Sequence, residues 1–517
     1  MKKGKVILVG AGPGDAGLLT LKGKEMLERS EAVVYDWLVN PELLELAPQA
    51  EKIFVGKKGG QNGDGSIGRT VPDFSQKEIN QILLRLAKQG KLVVRLKGGD
   101  PFLFGRGGEE ASFLVQHKIS FEVIPGVSAG IGVPAYAGIP LTDRRFASQV
   151  TFITGHEDPT KKEAAVDWKK LSQIGGTLVS FMGVKNLPAI TQALRKAGKS
   201  PETPVAVIEW GTLPEQRVVT GKLSDIVKKT KKAQIESPAL TVIGEVVRLR
   251  QKLAWFEKKP LRGKTVVVTR ARPQASELVR KLKDKGARVM EFPTIQIEPP
   301  RDFRPIDREI KQLSQYDWVV FTSANGVHFF FDRMRRLGKD ARIFSGVRIA
   351  VIGEATAQAL AEKGLAQDLI PKEFTSLSLF RALKKADEIR GKKFLLARAD
   401  IAPPDLRKAL EKAGARVVEI EAYRTRRTSG NQKDLFEGIQ KGKIDYVTFT
   451  SSSTVENFFD PLPRALLKRI RSQLISIGPV TTEALRRYGF KPAREAKVHT
   501  IEGLVNALIH GNGGGKK

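Results

Sequence analysis

Apolar runs of strand length alternate with helix-like patterns along the whole chain, and no other feature constrains the fold as strongly. The run KVILVGAG precedes LTLKGKEMLERS, and KLVVRLKGGD precedes GGEEASFLVQHK. Continuous apolar strands followed by amphipathic helices are typical of parallel sheets with helices on their faces. We therefore predict an α/β fold with mainly parallel sheets.

The pattern changes at RLRQKLAWFEKKPLRGK, which is dense in charge and has no strand character, before GKTVVVTR begins a new strand. A chain of 517 residues is long enough for several domains. We predict one domain over 1–250, a linker over 251–262, a second domain over 263–510 and a disordered tail over 511–517. Trp255 and Phe256 stand out in the linker, because two adjacent aromatic side chains can dock on a domain.

The second half contains an internal duplication. GKTVVVTRARPQ begins at Gly263 and GKKFLLARADIA begins at Gly391, and VVFTSANGVHFFF and VTFTSSSTVENFF are separated by the same 128 residues. A third pair, at Gly353 and Gly478, follows in the same order. The duplication predicts two similar α/β lobes, with substrate bound in the crevice between them at the carboxyl ends of the strands.

Charge and cysteine content narrow the possible functions. Lys and Arg number 88 against 56 Asp and Glu, a formal net charge of +32. Such a chain attracts polyanions: nucleic acid, an anionic membrane, or a small substrate with many carboxylates. A basic surface that only serves solubility is the alternative. The absence of cysteine excludes disulfides, a thiolate nucleophile and cysteine-ligated metals, and we predict no metal site.

One uncharged run, residues 123–142, reaches the length of a membrane span. Its three prolines and four glycines argue against a lipid-exposed helix, so we predict buried turns and short helices there. The apolar stretch at the start is short and ends in a Gly/Pro turn, as a buried strand does, rather than a secretion signal. We expect a cytoplasmic protein without a membrane partner.

The first motif is GAGPGD, Gly10 to Asp15. Its G-x-G-x-G spacing differs from the dinucleotide pattern, and Pro13 lacks the amide donor that a phosphate cradle needs. The motif predicts a tight turn that brings backbone close to a ligand, although a plain strand–helix turn explains it equally well.

Two further motifs follow in the first half. In KGGDPFLFGRGGEE, Gly98 and Gly99 end a strand, and Asp100 could accept hydrogen bonds from ribose hydroxyls. A glycine-rich helix N-terminus is the alternative. In IPGVSAGIGVPAYAGIPLTDRR the small residues leave room for a bulky ligand.

Together these strings, with VVYDWLVNPELL and VSFMG, make residues 4–250 resemble uroporphyrinogen-III C-methyltransferases of the tetrapyrrole methylase superfamily. The resemblance implies two α/β subdomains with S-adenosylmethionine bound in the cleft between them. Asp36 matches the family's proton acceptor and Lys57 its proton donor, with Lys58 the alternative for the donor; a helix cap is the structural alternative for Asp36. The donor-binding positions correspond to Pro13, Gly98, Gly99, Asp100, Leu103, Ser128, Ala129, Met182 and Gly211.

The chain departs from the family in two places. Asp143 stands where the family has histidine in PLTHR, and the segment after Lys58 is longer than usual and lacks a histidine. Both departures concern the substrate side of the cleft and leave the donor-binding positions unchanged.

Residues 263–510 resemble uroporphyrinogen-III synthases through VVFTSANGVHFF, IAVIGEATAQAL, VVEIEAYRT, VTFTSSSTVENFF and ISIGPVTTEALRRYG. The resemblance implies two α/β lobes joined by a pair of strands and a reaction without a cofactor. Tyr423 matches the tyrosine proposed to assist departure of the substrate hydroxyl. Short polar side chains at strand ends are candidates for binding substrate carboxylates, although each could simply cap a helix: Thr322, Ser323, Asn325, Thr450, Ser451, Ser452 and Thr481.

The two resemblances imply a bifunctional enzyme. It would cyclise hydroxymethylbilane to uroporphyrinogen III and methylate this at C2 and C7 to precorrin-2, for sirohaem or cobalamin. The methylase family suggests a homodimer, and the carboxylates of both substrates account for the basic charge. The alternative is an RNA-binding methyltransferase of the same superfamily, which the charge also suits. Against it, the chain has no aromatic-rich RNA-recognition motif, so we expect no nucleic-acid partner.

Overall fold

The computed structural model describes residues 4–56, 74–155, 166–269, 272–292, 295–427 and 432–510. The chain forms two compact units, Met1–Gly263 with Lys285–Arg288, and Lys264–Asp284 with Val289–Lys517. The predicted tail, 511–517, lies outside the described residues.

The first sheet of the first unit is entirely parallel, in the order β3-β2-β4-β1-β5. Its central strands are apolar on both faces and are covered by helices, as the continuous apolar runs predict. Because the strands are parallel, their carboxyl ends meet at one edge, where Gly10 pairs with Lys97. The elements are β1 (Lys5–Gly10), α1 (Leu21–Arg29), β2 (Ala32–Tyr35), β3 (Glu51–Phe54), α2 (Gln76–Lys88), β4 (Leu92–Lys97), α3 (Gly107–Gln116), β5 (Ser120–Ile124) and α4 (Ala129–Tyr136).

The second sheet has the order β6-β7-β10-β8-β9, and only its β6–β7 pair is parallel. The prediction of mainly parallel sheets is therefore wrong for this sheet. β8 and β9 form a hairpin, which needs no crossover helix, and β10 lies antiparallel between β7 and β8. The elements are β6 (Val150–Thr154), α5 (Trp168–Gln173), β7 (Thr177–Phe181), α6 (Leu187–Lys196), β8 (Pro204–Glu209), β9 (Arg217–Lys222), α7 (Ile226–Lys232), β10 (Ala239–Ile243) and α8 (Arg250–Leu253).

Residues 251–262, predicted as a linker, pack on the first unit. Phe256 and Leu261 are buried, and the Trp255 indole N–H donates to the carbonyl oxygen of Ala135 at 3.0 Å. Tyr136 contacts both aromatic rings, with centroids 5.2 Å from Trp255 and 5.0 Å from Phe256. The two aromatic residues thus anchor this segment to α4.

The second unit holds two five-stranded sheets, β12-β11-β18-β19-β20 and β13-β17-β16-β14-β15. The strands are β11 (Thr265–Val268), β12 (Arg288–Glu291), β13 (Ile295–Glu298), β14 (Trp318–Phe321), β15 (Arg348–Val351), β16 (Lys393–Ala399), β17 (Arg416–Arg427), β18 (Tyr446–Phe449), β19 (Gln473–Ser476) and β20 (Arg494–Glu495). The helices are α9 (Arg272–Asp284), α10 (Arg304–Lys311), α11 (Ala324–Arg336), α12 (Glu354–Ala361), α13 (Ser376–Ala386), α14 (Asp405–Lys412), α15 (Gln432–Gln440), α16 (Ser452–Phe459), α17 (Arg464–Leu467), α18 (Pro479–Arg487) and α19 (Ile501–Ile509).

Each of these sheets combines strands from both copies of the sequence duplication. In the first copy, β11, β12, β14 and β15 correspond to β16, β17, β18 and β19 of the second. One sheet takes β11 and β12 from the first copy and β18 and β19 from the second, and the other sheet takes the complementary strands. The two lobes predicted from the duplication are confirmed, but the chain interleaves them. The antiparallel pair of β13 with β17 belongs to the second lobe.

Candidate active sites

The carboxyl edge of the first sheet opens into a cleft of about 730 Å³ within the first unit. The cleft is lined by the ends of β1, β2 and β4, by the start of α4, and by residues of the second sheet. All of the predicted donor-binding residues lie along it: Pro13, Gly98, Gly99, Asp100, Leu103, Ser128, Ala129, Met182 and Gly211. The predicted proton acceptor, Asp36, lines the same cleft.

The first two glycine motifs meet across this edge. The Gly99 N–H donates to the carbonyl oxygen of Gly12 at 2.8 Å, and the Gly12 N–H donates to that of Gly99 at 3.3 Å. Gly99 has a φ of +69°, which favours glycine, and a Cβ there would meet nothing closer than the Ala129 nitrogen at 3.6 Å. Bare backbone therefore faces the cleft at this point.

Asp100 links two of the motifs. Its Oδ1 accepts from the Phe102 N–H at 2.8 Å and its Oδ2 accepts from the Gly126 N–H at 3.0 Å. Because an ionised carboxylate has about four acceptor sites, these bonds leave capacity for a ligand hydroxyl. Asp100 thus holds the KGGD turn against the IPGV turn as well as facing the cleft.

Backbone strain is concentrated around the cleft. Seven non-glycine residues in the described chain have positive φ, and four of them line the cleft: Phe104, Arg106, Met182 and Trp210. A fifth, Thr212, follows directly after Gly211. Such conformations cost about 1–3 kcal/mol each and persist where the surrounding contacts fix them, which is typical of ligand sites.

A buried charge cluster forms the floor of the cleft beneath Asp36. Arg95 lies 3.4 Å from the Asp36 carboxylate, and its Nε lies 3.2 Å from Glu110, whose carboxylate also accepts from Lys97 at 2.8 Å and Gln76 at 3.1 Å. Burial alone would raise the pKa of Glu110, but Arg95 and Lys97 outweigh it and hold the pKa below its usual range. Burial, together with Arg95, lowers the pKa of Lys97.

Sequence reasoning singled out Asp36 and missed Arg95 and Glu110. Asp36 also accepts from the Leu38 N–H at 3.3 Å, so it both closes a turn and pairs with Arg95. The available signal was an arginine inside the apolar strand VVRLK, since a charge there is expected to have a buried partner. Lys57, the predicted proton donor, lies outside the described residues, as do Lys58 and most of the longer segment after it.

Asp143, the departure from the family pattern, does not line the cleft. Its carboxylate pairs with Arg145 at 3.0 Å, and this pairing lowers the pKa of Asp143. In the structure, Asp143 is therefore a residue of a surface turn.

In the second unit, Tyr423 lies on β17 beside the residues that follow β14. The Ser323 hydroxyl donates to the phenolic oxygen of Tyr423 at 3.0 Å, and Asn325 also bonds to the phenol. Burial raises the pKa of Tyr423 in spite of these two bonds. Phe329 stacks on the ring, with centroids 6.0 Å apart. The structure thus brings Ser323 and Asn325 together with Tyr423, and Thr322 directly precedes Ser323 in the chain.

The other predicted hydroxyls follow β18 and β19, which are adjacent and parallel. Ser451 caps α16 in a capping box with Thr454, and the Ser452 hydroxyl donates to the carbonyl oxygen of Val480 at 3.2 Å. Thr450 is half-buried and Thr481 is buried. Ser451 and Ser323 thus have the capping geometry that was the alternative for them.

Comparison with known proteins assigns the two units to families. Residues 5–227 match the family model for tetrapyrrole (corrin/porphyrin) methylases, and residues 276–506 match the model for the uroporphyrinogen-III synthase HemD. The porphyrin biosynthesis protein HemD of Ruminiclostridium josui is 36% identical over 516 residues, which cover 99% of this chain and 99% of that protein. The chain belongs to the fused tetrapyrrole methylases and uroporphyrinogen-III synthases.

Both resemblances drawn from the sequence are thereby confirmed, and the fused chain is an enzyme in each unit. The methylase unit is 52% identical over 247 residues to the S-adenosyl-L-methionine-dependent uroporphyrinogen III methyltransferase of Methanosarcina barkeri, covering 48% of this chain and 93% of that protein. A uroporphyrinogen-III C-methyltransferase of Bacillus subtilis is 42% identical over 366 residues, covering 70% and 72%. Among the described helices, none combines the length and apolar character that a bilayer span needs.

Proposed function

We propose that this enzyme makes uroporphyrinogen III from hydroxymethylbilane and then methylates it twice, at C2 and C7, to precorrin-2. We assign methylation to 1–250 and cyclisation to 263–510, with 251–262 between them. The observation that best supports this function is that the donor-binding candidates and Asp36 line one cleft in the first unit. The relatives named as methyltransferases act on uroporphyrinogen III, which supports the same substrate here.

The residues of the cleft fit S-adenosylmethionine. Bare backbone at Gly98 and Gly99 admits close approach, and the Asp100 carboxylate has acceptor capacity for ribose hydroxyls. The side chains of Met182 and Phe104 offer apolar surface for the adenine. When bound, the donor supplies an electrophilic methyl group on a sulfonium.

The charge of the cleft suits an acidic ring. Arg106 and Lys185 line it, and uroporphyrinogen III carries eight carboxylates; the other lining cations, Arg95 and Lys97, are buried and pair with Asp36 and Glu110. Methylation of a pyrrole carbon leaves a positive charge on the ring and requires the later loss of a proton. Asp36, at the carboxyl end of β2, stabilises that charge and accepts the proton. Arg95 orients Asp36 at 3.4 Å, and we assign proton donation to Lys57.

In the synthase unit the residues around Tyr423 assist the departure of the substrate hydroxyl. Ser323 and Asn325 bond to the phenolic oxygen, so the phenolic hydrogen is available for donation. The raised pKa keeps the phenol protonated at neutral pH. The substrate carboxylates are bound by the turns after β14, β18 and β19, through backbone N–H groups and the side chains of Thr322, Thr450, Ser452 and Thr481. The protein then mainly holds the chain ends in the inverting geometry, and no cofactor takes part.

The family resemblance further suggests a cytoplasmic homodimer that supplies the sirohaem or cobalamin branch. Small tetrapyrrole substrates account for the charge of +32 without nucleic acid.

The test of methylation uses the full chain, uroporphyrinogen III and S-adenosylmethionine labelled in the methyl group. We expect two labelled methyl groups per ring, and a strong loss of rate in Asp36→Asn. Asp143→Asn is the matched control, because Asp143 is not among the residues that line the cleft and its carboxylate pairs with Arg145 of its own turn. Retention of ribosomal RNA on filters in moderate salt, without methylation of uroporphyrinogen III, would instead support the RNA methyltransferase.

A further inference from the structure

The turn that carries Gly211 is strained and lies in the donor cleft. Trp210 and Gly211 line the cleft, and φ is +49° at Trp210 and +72° at Thr212. Thr212 is β-branched, and such residues very rarely adopt positive φ. A conformation of this kind persists only where neighbouring groups hold it.

Gln216 holds this turn from inside the unit. Its side chain is fully buried, with 0% exposed, and its Oε1 accepts from the Thr212 N–H at 2.9 Å. On the other side, the Thr212 hydroxyl oxygen accepts from the Asp15 N–H at 2.9 Å. Asp15 directly follows Pro13 and Gly14, which also line the cleft. Thr212 therefore connects two stretches of chain that line the cleft, one at Pro13 and Gly14 and the other at Trp210 and Gly211, and Gln216 bonds to its backbone.

Gln216 is in turn held by the segment that leads to the synthase unit. Its Nε2 donates to Glu257 Oε1 at 3.0 Å, and its backbone carbonyl oxygen accepts from Arg262 at 2.6 Å. Arg250 donates to both carboxylate oxygens of Glu257, at 3.0 and 3.3 Å. The Glu257 side chain is only 11% exposed, so these bonds form largely out of water.

The charge state of Glu257 is fixed by the same contacts. Burial would raise its pKa, but Arg250 and Gln216 outweigh burial and hold the pKa below the usual range. Glu257 is therefore an anion at neutral pH, and an anionic acceptor makes a stronger hydrogen bond to the Gln216 amide than a neutral one.

The same segment reaches the cleft by a second route. Trp255 and Phe256 pack on the ring of Tyr136, and the Tyr136 hydroxyl donates to Asp15 Oδ2 at 2.7 Å. Asp15 is thus contacted both by Thr212 and by Tyr136.

We propose that Gln216 and Glu257 are positioning residues for the methyl donor, so that the segment joining the two units supports the donor site of the methylase. This inference rests on the proposed function, because it takes the ligand of the cleft to be S-adenosylmethionine. Glu257 acts through Gln216, and Gln216 acts through the Thr212 N–H on the turn at Gly211.

The test is a double-mutant cycle in the full chain, with the affinity for S-adenosylhomocysteine measured by calorimetry. We expect Gln216→Leu and Glu257→Leu each to raise the dissociation constant on the order of tenfold, the effect of losing one buried hydrogen-bond partner. The double variant should bind more tightly than the sum of the two single losses predicts, because the Glu257 carboxylate acts on Thr212 through the Gln216 amide. Glu257→Gln keeps an acceptor for the Gln216 amide and should restore most of the affinity.

Further measurements distinguish a positioning role of these residues from a general loss of folding. Glu245→Leu removes an exposed pair with Arg248 nearby and should leave affinity unchanged. The unfolding transition followed by tryptophan fluorescence shows whether the methylase unit is folded in each variant, because four of the five tryptophans belong to that unit. The turnover number at saturating donor and the KM for uroporphyrinogen III should change less than the KM for the donor, a split that general destabilisation does not produce.

The outcomes separate this inference from the proposed function. Unchanged affinity in Glu257→Leu, or full additivity in the double variant, refutes the positioning role. If the unsubstituted chain does not bind S-adenosylhomocysteine at all, the proposed function itself is wrong.

Discussion

Replacing Glu110 by glutamine tests whether the charge cluster beneath Asp36 stabilises the methylase unit. Glu110 is 0% exposed and is the shared partner of Arg95 and Lys97, which are themselves buried. Glutamine keeps the shape and removes the charge, so two buried cations lose their shared anionic partner. Removing one partner from a buried ion pair typically costs about 3–5 kcal/mol. For a unit of this size that corresponds to a fall in Tm of about 6–20 °C.

Tryptophan fluorescence provides a suitable assay on the full chain. Four of the five tryptophans, Trp37, Trp168, Trp210 and Trp255, belong to the first unit, so its unfolding dominates the signal. Glu109→Gln is the matched control, because Glu109 is the adjacent residue on α3 and pairs with Arg106 on the surface. Such exposed pairs contribute about 0–1 kcal/mol.

The pH dependence of unfolding provides an independent check of the stabilisation by the Glu110 carboxylate. The folded pKa of Glu110 lies below its ordinary value of 4.5, so its stabilisation is complete above that value and is lost as the pH falls through the folded pKa. The unfolding curves of the native chain and of Glu110→Gln should therefore converge in acid. If Glu110→Gln unfolds within a degree of the native chain at neutral pH, the cluster does not stabilise the unit and the reasoning is wrong.

Three other substitutions or cuts test the sites. Asp36→Asn should lower the methylation rate by about 10²–10⁴-fold with S-adenosylhomocysteine affinity retained; near-normal turnover would remove Asp36 from the mechanism. Asp100→Ala should weaken donor binding by about 1–3 kcal/mol in calorimetry, because it loses a charged acceptor and the bond to Gly126; unchanged affinity would limit Asp100 to a structural role. A fragment 1–263 should methylate supplied uroporphyrinogen III, whereas 1–249 should bind the donor more weakly, because it lacks Glu257 and Arg262. Equal donor affinity in the two fragments would contradict the support we infer.

Much of the fold could be predicted from local pattern. Val6 to Val9 form a continuous apolar run, and Val93 to Leu96 form an apolar run interrupted by Arg95; both are buried parallel strands. The hairpin of β8 and β9 was not predicted, although only the segment WGTLPEQ separates PVAVIE from RVVTGK, which is too short for a crossover helix.

The interleaving of the lobes is a second feature of the fold that the sequence does not predict. The duplication shows that β11 corresponds to β16 and β14 to β18, but it does not show which strands pair. The structure pairs β11 with β18, whose sequence YVTF is similar to the WVVF of β14, so the apolar pattern alone does not show which of the two pairs with β11. Only the three-dimensional path of the chain distinguishes the two arrangements.

Some residues of the candidate site could likewise be predicted from the sequence, and others could not. Glycine motifs at a strand end identified Gly99 and Asp100, because turns that approach a ligand have a local signature. Asp36 was identified through the family resemblance, in the string VVYDWLVNPELL. Gln216 has no such signature, and Arg95 in VVRLK indicates a buried partner without showing that it is Glu110. The roles of Glu110 and Gln216 come from their partners, which are Arg95 for Glu110 and Thr212 and Glu257 for Gln216. Such contacts depend on tertiary packing, which residue spacing does not encode.

The most direct test of the account supplies the full chain with hydroxymethylbilane and S-adenosylmethionine and reads the mass and isomer of the product after oxidation. We predict a ring of the inverted, type III arrangement that carries two added methyl groups. Tyr423→Phe in the same assay should remove the type III product while leaving methylation of supplied uroporphyrinogen III intact. An unmethylated ring, or only the uninverted isomer I that forms spontaneously, from the unsubstituted chain would contradict the account.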